Sequence, residues 1–270
     1  MLAVIRGAGD LASGIALRLH RAHIDVVMTE IETPTAIRRT VAFSEAIVHG
    51  ETEVEGIRAR RAETAGEALE FLKAGVIPVL PDPQGHCIPL LRPDVVVDAI
   101  LAKRNLGTRI TDAPVVIGVG PGFTAGQDCH AVVETMRGHT LGRVFYEGSA
   151  LPNTGIPGLI GGFSGERVLR APADGVFHPL AAIGDQVREG DIAATVDGVP
   201  MVCTLTGVLR GILPEGTQVR KGMKSGDIDP RCKVEHCYTA SDKALAVGGG
   251  VLEALMALSG TLREDGHGGK

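Results

Sequence analysis

Apolar and polar positions alternate along the chain in blocks that read as strands and helices. Residues 3–5 form a short apolar run, followed by a glycine-rich turn. Ala12, Ile15, Ala16, Leu17 and Leu19 then recur with the spacing of a helix laid against a sheet. A second apolar run over 25–29 ends at Glu30. Residues 76–80, 94–101 and 114–119 read as further buried strands. Each runs into a loop of glycine, proline or charge: Pro81-Asp82-Pro83, Lys103-Arg104-Asn105, and the segment 120–126. Residues 34–39 predict a short helix, because proline is tolerated in a first turn. Strands alternating with helices predict an α/β fold with a Rossmann-like, mostly parallel sheet, whose ligands sit at the carboxyl ends of the strands.

The pattern changes after residue 127. Residues 128–147 read as a hairpin, which places Asp128, His130 and Glu134 on one face; a helical reading also keeps His130 and Glu134 together. Residues 148–165 are dense in glycine and proline and mark a boundary or lid. An internal repeat follows. Gly175-Val176-Phe177 precedes Gly184, Val187 and Gly190, and Gly207-Val208-Leu209 precedes Gly216, Val219 and Gly222. Its shared G-x-x-V-x-x-G template resembles the paired hairpins of lipoyl and biotinyl carrier domains, a small all-β barrel-sandwich. Residues 194–204 hold no lysine where such a carrier has its attachment turn, so the module reads as structural, docking or lid-like. Ser241 is placed to cap a helix over 241–258 that carries three consecutive glycines and returns to the first body. The expected organisation is a nucleotide-binding region over 1–165, a β module over 166–232, a C-terminal helix within 233–262, and a disordered tail over 263–270.

The chemistry concentrates at glycine turns. Gly7, Gly9 and Ala12 stand at G-x-G-x-x-A spacing: a tight turn, a close backbone approach for phosphate, and close packing of the helix. With Asp10 in the same turn and Glu30 about twenty residues on as a ribose acid, they form a candidate cofactor site. Arg38 and Arg39 follow the acid as candidate phosphate ligands, and Gly120 and Gly122 as a second anion-binding loop. Asp128, His130 and Glu134 are the candidate acid–base residues. Cys129 beside His130 reads as a buried, inert thiol, since strand neighbours point to opposite faces. No metal site is expected, because Cys232, His236 and Cys237 lack a fourth ligand.

Composition narrows the function classes. Aromatics are only 3% with no tryptophan, so the cores must be built from aliphatic residues. A net charge of −5 argues against a nucleic-acid partner. No apolar run is long enough to span a membrane. The amino end serves as a strand rather than a signal peptide, and five cysteines, an odd count, read as reduced thiols of a cytoplasmic protein.

The stretches RGAGDLASGIALRLHRA, TEIETPTAIRRTVAFSEA, VEGIRARRA, GVGPGFTAGQDCHAVVETMRGHTLGR, PNTGIPG and CYTASDKALAVGGGVLEA resemble the YqeB family of accessory proteins for selenium-dependent molybdenum hydroxylases. The XdhC group of molybdenum-cofactor insertion factors is more loosely similar. The resemblance implies a maturation factor that binds a nucleotide or a dinucleotide-form molybdenum cofactor and handles labile selenium. It also implies a molybdenum hydroxylase or a selenium donor as partner, with self-association left open. Cys129 departs from the family pattern, which places valine there. Two other classes stand beside this reading: an NAD(P)-dependent oxidoreductase using Asp128, His130 or Glu134, and a non-catalytic scaffold docking through the β module.

Overall fold

A computed structural model describes residues 1–155 and 158–260, so the tail expected over 263–270 lies outside the described residues. The chain divides into two compact units. Unit 1 comprises Met1–Pro34, Phe43–Asn153 and the stretch from Ala240; unit 2 comprises Thr35–Ala42 and Thr154–Thr239.

Unit 1 is built on strands β1 (Leu2–Arg6), β2 (Asp25–Thr29), β3 (Glu51–Val54), β4 (Ile57–Arg61), β5 (Ile77–Leu80), β6 (Val95–Asp98), β7 (Val115–Val119), β8 (Ala131–Val133) and β9 (Val144–Phe145). They form one nine-stranded sheet in the order β3-β4-β5-β2-β1-β6-β7-β8-β9. The helices are α1 (Asp10–Arg21), α2 (Glu45–His49), α3 (Ala65–Lys73), α4 (Ile88–Leu91) and α5 (Asp242–Leu258). The central strands are buried along nearly their whole length, as the continuous Val/Ile runs of a sheet covered on both faces require.

This sheet corrects the expected Rossmann-like fold. It is mixed: antiparallel pairs β3–β4 and β8–β9 close its two edges. A doubly wound domain crosses between parallel strands through helices, whereas the β6–β7 and β7–β8 connections contain none. The edge hairpin β3–β4 escapes an apolar-run reading because its strands are largely polar and half exposed. Its two-residue turn, Glu55 (φ +50°) and Gly56 (φ +80°), has both residues left-handed, as a hairpin of this length favours. The helix expected over 34–39 is also corrected. That segment has no α-helix; a single 3-10 turn follows at Arg39–Val41, in unit 2.

Helices α1 and α5 cross in unusually close contact. A Cβ on Gly14 of α1 would lie 2.5 Å from the Cβ of Ala244, and one on Gly248 would lie 2.9 Å from the Gly14 carbonyl. Gly250 presses on the Gly142 carbonyl, while Gly249 faces open space. Two of the three consecutive glycines thus mark backbone contacts, and α5 is one continuous helix whose Ser241 side chain accepts the Ala244 amide.

Unit 2 contains strands β10 (Val168–Arg170), β11 (Gly175–Pro179), β12 (Gln186–Val187), β13 (Ile192–Val196), β14 (Val199–Val202), β15 (Gly207–Ile212), β16 (Gln218–Val219) and β17 (Lys224–Asp229). They make two four-stranded antiparallel sheets, β10-β17-β15-β12 and β14-β13-β11-β16. The internal repeat explains this arrangement. The first strand of each copy pairs with the second strand of the other, β11 with β16 and β15 with β12, so the two copies exchange strands about a pseudo-twofold axis. Phe177, Leu169, Leu209 and Ile212 fill the core between them. The β13–β14 turn is Asp197-Gly198, and the Asp197 carboxylate accepts the Val176 amide.

Candidate functional site

The carboxyl ends of β1 and β7 run into the glycine loops of unit 1, and β2 and β6 flank β1 in the same sheet. The turn after β1 is held from several sides. Gly7 donates its amide to Thr29 O at 2.8 Å, the Ala8 amide donates to Glu30 Oε2 at 2.9 Å, and Ala8 O accepts from the Ser44 amide and the Ser13 hydroxyl. Ser13 Oγ in turn accepts the Phe43 amide. Gly7 needs its glycine: its φ is +98°, and a Cβ would lie 2.8 Å from Ala99 O. Gly9 differs. It is the N-cap of α1 with an ordinary φ of −68°, no side chain caps the helix there, and the direction of a Cβ is open. The site therefore offers a fixed turn, a helix N-terminus and free space above Gly9, which suit an anion. Ala12 is buried, as close packing of α1 requires, and Asp10 sits in its first turn with Oδ1 accepting the Leu11 amide.

Glu30 closes this turn. Besides Ala8 it accepts the Ile31 amide at 2.8 Å. Burial raises its pKa, against the lowering effect of those two amides. The acid stands at the end of β2, where the sequence spacing places it, and one of its oxygens is spent on the turn itself.

The remaining predicted residues part company. Arg38 and Arg39 lie in unit 2, where Arg38 Nη2 donates to His236 O and Thr239 O, and Arg39 Nε donates to Ile212 O. Their guanidinium groups tie the 35–42 segment to carbonyls of its own unit. Gly120 and Gly122 are left-handed, at φ +79° and +113°, but their open sides are filled by Thr135 and by the backbone of Lys103 and Arg104. They serve loop packing rather than an open anion nest.

Asp128, His130 and Glu134 are each committed to backbone. Asp128 Oδ2 accepts the Thr124 amide and its Oδ1 accepts from Asn105. His130 Nδ1 accepts the Val116 amide at 3.0 Å, which requires that nitrogen to be unprotonated. Glu134 is fully buried and accepts the amides of Thr135, Met136 and Leu151. Burial pushes the Cys129 thiol up to about 11, so it stays protonated and unreactive near neutrality.

Sequence reading missed a buried ionic cluster beneath the loops. Arg6 and Asp98 end β1 and β6, with 3% and 1% exposure, and pair at 3.5 Å. Thr108 Oγ1 donates to Asp98 and accepts from Arg6 Nη1, while Arg6 Nη2 reaches Pro83 O. Burial raises the Asp98 pKa, with Thr108, the Ile100 amide and the charge of Arg6 pulling it back. The available signal was a charge at the final position of two otherwise apolar strands.

No family model matches the chain. It is 54% identical over 257 residues to the uncharacterized protein YqeB of Escherichia coli K12, a match that covers 95% of this chain and 48% of that protein. The chain thus spans about half the length of the curated relative, and the likeness supports the resemblance to the YqeB family. Among solved structures it is similar to an aspartoacylase family protein of Mesorhizobium loti, at 12% identity and a TM-score of 0.28. It is also similar to a succinylglutamate desuccinylase/aspartoacylase of Rhodobacter sphaeroides, at 16% and 0.26. Each match covers 84% of both chains. At these scores the likeness assigns neither fold nor activity. The curated relative is itself an uncharacterized protein, so the comparisons give the expected molybdenum-cofactor and selenium labels no support. Among the described residues, no helix is long and apolar enough to cross a membrane.

Proposed function

We propose that this chain, a relative of YqeB over half of that protein's length, is an accessory protein that binds a phosphorylated small molecule of nucleotide type at the turn after β1. The observation that carries the reading is the contrast between its two glycines. Gly7 is fixed by its φ and by Ala99, while Gly9 leaves open space at the uncapped start of a 12-residue helix. Backbone amides and the helix dipole favour a phosphate there, and Glu30 stands beside it to accept a hydroxyl. A dinucleotide-form cofactor, NAD(P) included, fits the same description. The commitment of Asp128, His130 and Glu134 to backbone amides favours binding over acid–base catalysis.

Mass spectrometry of small molecules released from protein purified from its native host tests the reading. A phosphorylated species at near-stoichiometric amount is expected. Its consistent absence, with no thermal shift on adding nucleotides, would count against it. The biological setting, maturation of a molybdenum hydroxylase with that enzyme or a selenium donor as partner, is proposed from the sequence resemblance alone. Co-purification of the hydroxylase with the tagged full chain tests that setting; recovery of neither partner removes it.

A further inference from the structure

We draw no further inference here: the strongest candidate, the exposed apolar patch of unit 2 where Ile192 of β13 pairs with Val202 of β14 near Val199 and Leu180, is an unpartnered sheet surface, and nothing in the structure shows what covers it.

Discussion

The carboxylate of Glu30 accepts the amide of Ala8 at 2.9 Å, joining the end of β2 to the turn between β1 and α1. That bond fixes the turn from one side, while Thr29, Ser13 and Ser44 fix it from the others. Changes at the two glycines of the turn should therefore separate stability from binding. A Cβ at position 9 would meet no atom within 4 Å, and an aspartate there supplies the missing N-cap of α1, so Gly9→Asp should leave stability unchanged or raise it by a few tenths of a kcal/mol. The same carboxylate would occupy the anion position and abolish phosphate binding. Gly7→Ala should instead cost about 2–3 kcal/mol through its left-handed backbone and the clash with Ala99 O. Urea unfolding beside ligand titration reads both effects, and a strongly destabilised Gly9→Asp would contradict the first.

The glycines of the α1–α5 crossing offer a second test. Gly14→Ala would press a methyl group on Ala244 and should destabilise unit 1 by about 1–3 kcal/mol despite its better helix propensity. Gly249→Ala, with open space around it, should stabilise by roughly 0.5–1 kcal/mol. Hydrogen exchange across α1 and α5 reports the two effects, and equal signs for both substitutions would exclude the close-packing account.

The Arg6–Asp98 pair leads to a prediction with a definite pH direction. Arg6→Met leaves Asp98 buried without its counter-charge and should cost about 3–5 kcal/mol near neutrality. Because burial already raises the folded-state pKa of Asp98, its contribution is complete below the unfolded value near 3.8 and is lost as pH rises through the folded value. In the variant that value climbs further, so the deficit should shrink as the pH falls from 7 towards 4. A deficit that stays flat over this range would refute the assignment.

Asp229 in unit 2 should behave oppositely. It is fully buried, accepts from Arg231 at 2.6 Å, and lies 3.3 Å from Arg210. Burial alone would raise its pKa, but the hydrogen bonds and charges of Arg231 and Arg210 outweigh burial and hold it below 3.8. Its stabilisation is present above 3.8 and disappears as pH falls through the lower folded value. Asp229→Asn should therefore cost about 1–3 kcal/mol at neutral pH, because Arg210 and Arg231 lose a charged acceptor while Arg210 keeps Asp227 as its buried partner. Exchange protection of β15 and β17 should fall in this variant while that of β1 and β6 is retained, and loss in both sets would point to a role outside unit 2.

Local sequence made individual strands and the turn after β1 legible, because apolar runs and glycine spacing are set within a few residues. Their assembly was not legible. The polar hairpin β3–β4 has no alternating apolar face to announce it, and nothing near Arg38 and Arg39 signals that their acceptors are carbonyls about 170 to 200 positions away. The three glycines at 248–250 look equivalent in sequence, yet only the partners of α5 decide which of them tolerate a methyl group. Lys103 and Arg104 read as an ordinary strand end, and only the tight fit of Gly122 against their backbone shows that they pack on the loop after β7.

The crossing of α1 and α5 also sets the order in which the protein can be completed. The two helices are separated by roughly 220 residues, which a ribosome adds in about 10–45 s at ~5–20 residues per second. Throughout that interval the face of α1 that carries Gly14 has no partner. Unit 1 thus cannot finish folding as it emerges; its oldest helix waits for its youngest, and nascent chains should be most open to chaperones and proteases until α5 has been made.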